Sequence, residues 1–411
     1  MSTKYQALVI GGGPAGATAA LLLAKAGWRV ILVERSEFPR QKVCGEFLSA
    51  TNLPLLDHLG IGDVFRTLAG PEVHEVALYL GTATIRAAMP SVRDARGKWG
   101  RALSREILDT ILLNQAQNAG VEVRQPWSVV HFSQDHDGYL CEVQNRRTLE
   151  RHHIRATVIV AAHGSWMPGG LPTQQYPATR RGSDLFGFKA HFRDSSLPCH
   201  LMPMLVFPGG YGGMVHCDRG RVSLSCCIRR DKLQEVRQQF STASAGAAVL
   251  THIKRSCLGV REALSDTGPV DIWHSAGPLR PGIRLRPTSG VFLVGNAAGE
   301  AHPIIAEGIS MALQSSLLLC ERLIKRQESL LHPDFGKRQV EALEVAREYT
   351  ARWHRHFVPR IRAAAAFAHS AMNPGIAYAA RLLIGWVPSL LSVGARMSGK
   401  AHCIAATLRG G

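Results

Sequence analysis

A glycine-rich turn lies between an apolar strand and a helix near the start of the chain. Residues 5–10 read YQALVI, which is typical of a buried strand, and GGGPAG and the strongly helical ATAALLLAKAG follow. Gly11, Gly13 and Gly16 form GxGxxG: the first allows a tight turn, the second lets a pyrophosphate approach the backbone, and the third packs helix against strand. A second strand, WRVILVER, ends at Glu34. Together these elements predict a βαβ unit with a parallel sheet.

This unit predicts a nucleotide site at its carboxyl edge. The N-terminus of the helix offers backbone amides and positive potential to phosphate groups. Glu34 follows Gly16 by about eighteen residues, and a carboxylate there can accept hydrogen bonds from both ribose hydroxyls of an adenosine. The glycines do not distinguish NAD from FAD, so the pattern alone leaves both cofactors open.

The rest of the chain predicts an α/β fold with a second lobe. The run IRATVIVAAHGSW, residues 154–166, indicates a buried strand that ends at His163, where α/β proteins place ligand-binding loops. Residues 167–275 alternate strand-like pieces with Gly/Pro turns before helices at 231–257, which predicts an antiparallel sheet with helices. A buried strand returns at 291–295 before a long helix, and the last 80 residues are mainly helical.

Two helix boundaries are also readable from the sequence. A helix is predicted over 46–59, with Gly60 as its stop. Ser104 precedes REILDTILLNQAQNAG, which predicts an amphipathic helix capped by that serine and ending at Gly120.

Charge and cysteine content limit the partners. The net charge is +17, but the arginines are scattered and no aromatic-interleaved basic motif occurs, so nucleic acid is not expected as a partner. An anionic substrate, an acidic carrier protein or a phospholipid surface suits the charge better.

Nine cysteines without a CxxC pair, and a start without signal-peptide features, predict reduced thiols in a cytoplasmic protein. No zinc-like ligand spacing occurs, so no metal is expected.

Five segments, in order, resemble motifs of the FAD-dependent oxidoreductases that include aromatic-ring monooxygenases and geranylgeranyl reductases. The sequence is most similar to the geranylgeranyl-reductase branch, through the K-x-C-G element in the second segment. The segments are GGGPAG with Glu34 and Arg35; FPRQKVCGEF, residues 38–47; SREILD with Arg105 and Asp109; the strand that ends His163-Gly164, where the family usually has Asp-Gly; and VFLVGNAAGEAHPIIAEGISMALQSS, residues 291–316, similar to G-D-A-A-G-x-x-x-P-x-x-G-x-G-I.

The resemblance implies FAD as the cofactor and an α/β fold: a Rossmann-like FAD-binding domain with a parallel sheet, an antiparallel-sheet substrate domain and a helical C-terminal extension. The FAD-binding residues it implies are Gly11, Gly13, Pro14, Ala15, Gly16, Glu34, Arg35, Arg105, His163, Gly164, Gly295, Asn296, Pro303, Gly308 and Ile309. The expected division is FAD-binding at 1–75, 101–166 and 276–330, a substrate-domain excursion at 76–100, the substrate domain at 167–275 and the helical region at 331–411.

Two positions depart from the family pattern. Asn296 stands where an aspartate normally contacts the ribityl chain, and an amide still accepts a hydrogen bond. His163 replaces an aspartate that, in the monooxygenases, helps both the pyrophosphate region and NAD(P)H engagement. A cationic His163 would favour phosphate contact, whereas a neutral one would only hydrogen-bond. A pyrophosphate-side or structural role is preferred over acid–base catalysis, and NAD(P)H stays open as the electron donor.

Three residues are candidates for catalysis. Cys44 lies beside Lys42, which would favour its thiolate, although a small residue packed in a turn explains it equally well. Glu46 is a candidate proton donor or simply a carboxylate at a helix start. His302, beside Pro303 on the loop expected at the flavin, is the first choice for proton transfer, against the alternative of an inert loop histidine.

The C-terminal segment AYAARLLIGWVPSLLSVGARM, residues 377–397, has an uninterrupted apolar stretch of about fourteen residues, fewer than a membrane span needs. A core helix pair is the favoured interpretation; a peripheral membrane contact or a lid over an apolar substrate is the second.

The leading functional hypothesis is a flavin oxidoreductase that acts on a bulky, mostly apolar substrate. One version of this hypothesis adds a phosphate group or a carrier-protein tether to the substrate. It would reduce or dehydrogenate carbon–carbon bonds by hydride transfer at flavin N5. The alternatives are an NAD(P)H- and oxygen-dependent hydroxylase and a non-catalytic flavin-binding protein. The W-x-W-x-I-P motif of tryptophan halogenases is absent from the sequence.

Overall fold

The computed structural model describes residues 4–92, 97–165, 174, 180–240, 244–265, 267–288 and 290–400. Trp166, residues 401–411 and most of 166–179 therefore lie outside the described residues. The strands are β1 Lys4–Ile10, β2 Val30–Val33, β3 Phe47–Leu48, β4 Glu75–Leu80, β5 Ala83–Ala88, β6 Arg101–Ala102, β7 Glu122–Arg124, β8 Trp127–Asp135, β9 Gly138–Asn145, β10 Arg151–Ala161, β11 Leu185–Phe192, β12 Leu201–Phe207, β13 Gly210–His216, β14 Val222–Arg229, β15 His274–Leu279, β16 Gly282–Ile283, β17 Val291–Leu293 and β18 Gly299–Glu300.

Twelve α-helices occur within the described ranges. They are α1 Pro14–Lys25, α2 Leu53–Leu59, α3 Gly62–Leu68, α4 Arg105–Asn118, α5 Arg230–Gln239, α6 Ala245–Ser256, α7 Leu258–Ala263, α8 Gly308–Lys325, α9 Gln327–Leu330, α10 Phe335–Met372, α11 Pro374–Trp386 and α12 Ser389–Ala395.

The first sheet carries the predicted nucleotide unit. Its order is β7-β2-β1-β10-β9-β8, and β17 also pairs with β10. The strands β7, β2, β1, β10 and β17 are parallel, as expected, whereas β9 and β8 are antiparallel additions. Apolar residues, many of them β-branched, form β2 and the second halves of β1 and β10, which are buried because helices cover the sheet. All parallel strands therefore end at one edge, next to the GGGPAG turn.

The second sheet forms the other lobe. Its order is β15-β11-β14-β13-β12-β4-β5, and every neighbouring pair is antiparallel except β4 and β12. The prediction of an antiparallel sheet is thus confirmed apart from one parallel pair. The strands β4 and β5, from the stretch predicted as an excursion, belong to this sheet, while the exact domain bounds stay a prediction.

Two local predictions need correction. The helix predicted over 46–59 begins only at Leu53, because Glu46 has a φ of +63° and Phe47–Leu48 form a strand with β6. Gly60 does end this helix, in a left-handed conformation with φ of +84°. Ser104 precedes α4, but its side chain makes no capping hydrogen bond; its backbone amide instead donates to Asp218 Oδ1 at 2.7 Å.

The C-terminal region is helical, as predicted, but it is not a buried helix pair. Within α11 only Ala377 is buried, and within α12 only Leu391. The long helix α10 packs instead, and its Tyr349 hydroxyl donates to the Leu293 carbonyl oxygen at 2.8 Å. Among the described residues no single helix is long and apolar enough to cross a membrane; by length and composition one bent pair, Pro374–Trp386 with Ser389–Lys400, meets the criterion.

Candidate active site

A cavity of about 1020 Å³ opens between the two sheets. One end is formed by the GGGPAG turn, the end of β2 and the loop after β10. The other end is formed by β4, β12 and β13 together with the helices α11 and α12. The cavity therefore joins the predicted nucleotide site to the second lobe.

The glycine turn leaves room for a ligand and none for side chains. Gly11 has a φ of +106°, and a Cβ there would lie 2.6 Å from the Ala162 carbonyl oxygen. A Cβ on Gly16 would overlap the Gly11 carbonyl oxygen, so this glycine allows α1 to pack on the strand. Gly11 and Gly13 both line the cavity, together with Pro14 and Ala15 at the start of α1.

Glu34 stands at the end of β2 and is buried. One carboxylate oxygen accepts a hydrogen bond from the Gly12 amide at 2.7 Å, and the other accepts from the Ser36 amide at 2.8 Å. These bonds hold the carboxylate at the cavity wall, beside Arg35. Its remaining lone pairs can accept hydrogen bonds from ribose hydroxyls.

A basic cluster faces the start of α1. Arg105 makes two bonds of 2.7 Å to Asp109, which raises the pKa of Arg105 although burial opposes the charge. Arg40 lies 3.5 Å from Asp109 and 3.7 Å from Glu34, and its buried Nε has no hydrogen-bond partner among the described residues. Burial and the two neighbouring arginines lower the pKa of Lys42 to about 8.

This cluster can neutralise a pyrophosphate at the N-terminus of α1. The sequence hypothesis named Arg105 but missed Arg40. The only available signal was its position in FPRQKVCGEF, since nothing local indicates that it reaches Asp109.

The residues His163 and Gly164 follow β10 and line the cavity. Burial lowers the pKa of His163 to about 4. Without a bound phosphate the neutral imidazole is favoured near pH 7, which favours the hydrogen-bonding interpretation, and the role of His163 towards FAD stays a prediction.

The fifth motif forms the opposite wall. Gly295 has a φ of +59° and packs behind the wall against Ala15, while the Asn296 side chain donates to Glu300 Oε1 at 3.1 Å. Asn296 also lines the cavity, and its contact with the ribityl chain, which the resemblance implies, stays a prediction.

The long helix after β17 begins at Gly308, five residues after Pro303. Pro303 starts a short 3₁₀ turn, Ala306 adopts a left-handed conformation with φ of +52°, and α8 starts at Gly308. A Cβ on Gly308 would meet no atom of the described residues within 4 Å. This glycine therefore leaves open space in the cavity and is not required for a close contact within the protein. Ile309, in the first turn of α8, lines the cavity beside it.

Cys44 lines the cavity, and its Sγ accepts a hydrogen bond from the Glu46 amide at 3.4 Å. Glu46 is fully buried; one oxygen pairs with Lys189 Nζ, and the other lies 2.8 Å from His191 Nε2. His191 Nδ1 lies 2.8 Å from Asp271. Burial would raise the pKa of Glu46, but His191 and Lys189 outweigh it and lower the pKa to about 2.

Glu46 is therefore ionised at neutral pH and links its segment to β11 through Lys189 and His191. An ionised carboxylate has no proton to give, which disfavours the predicted role of proton donor. Lys189 and His191 were not identified from the sequence. Glu46, His191 and Cys217 lie close enough to share an ion. However, the Lys189 ammonium already neutralises the carboxylate, and burial raises the pKa of Cys217.

His302 lines the cavity near its middle. Its Nδ1 lies 3.2 Å from the hydroxyl of Tyr211, which also lines the cavity. Burial lowers the pKa of His302 and raises that of Tyr211, so a neutral imidazole faces a protonated phenol, and the tautomer of His302 decides which of the two donates. This pair can hold a proton beside a ligand, and the catalytic role of His302 stays a prediction.

Beyond His302 the walls become apolar. Aliphatic and sulfur-containing side chains of the second sheet line this part of the cavity: Leu78, Leu80, Met89, Met202, Met204, Val206 and Met214. Such a surface selects an apolar ligand and gives few hydrogen bonds by which to orient it.

The residues fit FAD. The glycine cradle, the held carboxylate of Glu34 and the unsatisfied Nε of Arg40 suit an adenosine pyrophosphate, and the open face at Gly308 leaves space for a ring system. Of the predicted FAD residues, all but Gly16 and Gly295 line this one cavity, and those two pack behind it.

The fold and the site define an FAD-dependent oxidoreductase. The chain belongs to the FAD binding domain family, whose sequence model matches residues 4–329.

Relatives include both reductases and halogenases. The chain is 24% identical over 373 residues to digeranylgeranylglycerophospholipid reductase 2 of Methanopyrus kandleri, covering 84% of this chain and 87% of that protein. It is 27% identical over 335 residues to tryptophan 2-halogenase of Chondromyces crocatus, covering 77% of this chain and 60% of that protein. The structure of the myxobacterial chondrochloren halogenase superposes with a TM-score of 0.72 at 20% identity, covering 96% of this chain and 91% of the other.

These findings confirm the family resemblance, the fold class and FAD as cofactor. They also identify the protein as an enzyme, so the hypothesis of a non-catalytic flavin-binding protein has no support from its relatives.

Proposed function

We propose that this protein reduces or dehydrogenates a carbon–carbon bond of a bulky, largely apolar substrate. The observation that carries the proposal is the apolar end of the cavity, where the methionine and aliphatic side chains of β4, β12 and β13 continue directly from the FAD-binding residues. A substrate bound there would contact few polar groups, as a hydrocarbon chain requires.

Bound FAD would supply a two-electron carrier that gives or takes a hydride at N5. The chain's own residues then orient the substrate, exclude water and supply or remove the accompanying proton. His302, held by Tyr211 at 3.2 Å, is our candidate for that proton. Cys44, on the cavity wall, is a second candidate, and Glu46 acts as the anchor of the segment that carries Cys44.

The relatives support the same direction. The Methanopyrus kandleri protein is by name a reductase of a digeranylgeranyl glycerophospholipid, and another relative, from Mycolicibacterium smegmatis, is a menaquinone reductase. Both names describe substrates with long apolar chains. An anionic or carrier-tethered substrate remains part of the proposal on the net charge of +17 alone, because the cations Arg35 and Lys42 on the cavity wall lie at the end assigned to FAD.

The electron donor is tested by mixing the FAD-loaded protein anaerobically with NADH or NADPH in a stopped-flow spectrometer. Bleaching of the flavin band within seconds would establish NAD(P)H as the donor despite His163. If NADH and NADPH do not bleach the flavin but an apolar substrate alone does, the electrons enter from that substrate. If neither bleaches it, alone or together, a redox partner supplies the electrons.

An oxygen-dependent monooxygenase or halogenase is the second candidate, because a tryptophan 2-halogenase and the chondrochloren halogenase are also similar to this chain. Product masses distinguish the two. Gain or loss of two hydrogens under anaerobic turnover supports the proposal, whereas a product that gains oxygen or halogen only in air would replace it with the second candidate.

A further inference from the structure

The helices α11 and α12 form a bent unit, the C-terminal hairpin, defined as residues 374–400. The chain direction bends by 112° between its two arms. The inner side closes the apolar end of the cavity through Ala377, Ile384 and Leu391. Leu78 and Val206 of the second sheet pack against the same side.

The outer side of the hairpin is apolar and exposed. Trp386 at the bend is 88% exposed, Leu383 is 60% exposed and Met397 is 58% exposed, and Val387 and Val393 add to the same surface. So many large apolar side chains in one exposed region indicate a binding surface rather than scattered surface residues.

Positive charge predominates in the part of the chain that carries this apolar surface, and Arg381 and Arg396 lie within the hairpin itself. No Asp or Glu occurs after Glu348, whereas eight Lys or Arg residues do. Arg355, Arg362 and Arg396 are exposed, and Arg381 lies over the Tyr378 ring at 5.1 Å. An apolar ridge with an aromatic residue at its apex and cations around it matches the interface of an anionic bilayer, where apolar groups reach the acyl boundary and cations meet phosphate.

We propose that the C-terminal hairpin docks on the surface of an anionic lipid bilayer, with Trp386 and Leu383 buried among the lipids. A second copy of the chain is a poorer partner, because a two-fold interface would bring the same cations together without any acidic residue of this segment to pair with them. Docking itself does not depend on the reaction, but it deepens the proposed function: a membrane-dissolved substrate would reach the cavity beside the hairpin.

The test is flotation of the FAD-loaded protein with phosphatidylcholine vesicles, with and without about one third phosphatidylglycerol. The double variant Leu383→Ser/Trp386→Ser removes two apolar side chains that do not line the cavity, and Arg396→Glu reverses one exposed charge. The matched control is Val340→Ser, because Val340 is 66% exposed on α10 outside the hairpin. Flavin absorbance and circular dichroism verify that each variant is folded and loaded.

The wild-type protein and Val340→Ser should float with the anionic vesicles. The double variant should bind them at least about tenfold more weakly, and Arg396→Glu should lose most of the preference for phosphatidylglycerol. Absence of vesicle binding by the wild type, or equal binding by the double variant, would overturn the proposal. A dimer in solution that the double variant dissociates, without vesicle binding, would overturn it in favour of a contact between copies. Because no turnover is measured, failure here is distinct from failure of the proposed reaction.

Discussion

Replacement of Glu46 by glutamine should destabilise the protein strongly, because Glu46 and Lys189 form a fully buried ion pair between the lobes. The hydrogen bond with His191 and the charge of Lys189 outweigh burial and together lower the pKa of Glu46 from 4.5 to about 2. At roughly 1.4 kcal/mol per pKa unit, this difference corresponds to about 3 kcal/mol. Breaking a buried pair by removal of one partner costs about 3–5 kcal/mol, which agrees.

We therefore expect Glu46→Gln to lower the free energy of unfolding at pH 7 by about 3 kcal/mol, measured by urea denaturation followed by circular dichroism. The glutamine can still accept a hydrogen bond from His191, so the loss reports the uncompensated Lys189 ammonium. Because folding lowers this pKa, the stabilisation is complete above about pH 4.5 and disappears as the pH falls towards 2.

Two further variants make the test specific. Glu37→Gln removes a carboxylate that is 44% exposed and paired with Arg147, and it should cost less than about 1 kcal/mol. The double variant Glu46→Gln/Lys189→Met removes both buried charges and should recover most of the stability lost by the single variant. If Glu46→Gln costs no more than Glu37→Gln, or the double variant is as unstable as the single one, the reasoning is refuted.

Three further predictions concern the cofactor site. Gly16→Ala should prevent FAD binding by disrupting the fold of the turn. Gly308→Ala should leave the melting temperature of the FAD-free protein unchanged and weaken FAD binding about tenfold, and equal melting temperatures of the two variants would contradict this. The pKa of His163 falls from 6.5 to about 4 on folding, so stability should decrease as the pH falls through this window, and His163→Gln should flatten that part of a melting-temperature profile; an unchanged profile argues against a buried neutral imidazole. His302→Gln should lower turnover by at least about 100-fold at unchanged FAD content, and full activity of this variant would exclude proton transfer by His302. Tyr211→Phe should shift the pH profile of turnover.

Local patterns predicted the cofactor half of the site. The strand, the glycine turn, the helix and Glu34 lie within about thirty residues, so their geometry depends mainly on neighbours in sequence. Gly60 was also predictable as a helix end, since glycine tolerates the left-handed conformation that the end requires.

The remaining features depend on contacts between distant residues. Lys189 lies in LFGFKAHF, an apolar strand in which nothing local indicates that its partner is Glu46, 143 residues away. The same contact explains why the helix predicted from residue 46 starts later: Glu46 is held by Lys189 and His191 in a left-handed conformation that helices do not contain. The exposure of Trp386 could not be predicted from the sequence either, because an apolar helix has the same sequence pattern whether it lies in a core or on a surface.

The first sheet draws its parallel strands from distant parts of the chain, and this order has a consequence for biosynthesis. The last strand to join, β17, and the helix α8 that follows it supply Asn296 and Gly308, and the Ser316 hydroxyl donates to the Ala15 carbonyl oxygen at 2.7 Å. The glycine turn leaves the ribosome first, yet the wall that faces it is translated some three hundred residues later. A nascent chain that stops before β17 would expose half of a nucleotide pocket, so FAD capture should follow the synthesis of β17 and α8 rather than that of the glycine turn.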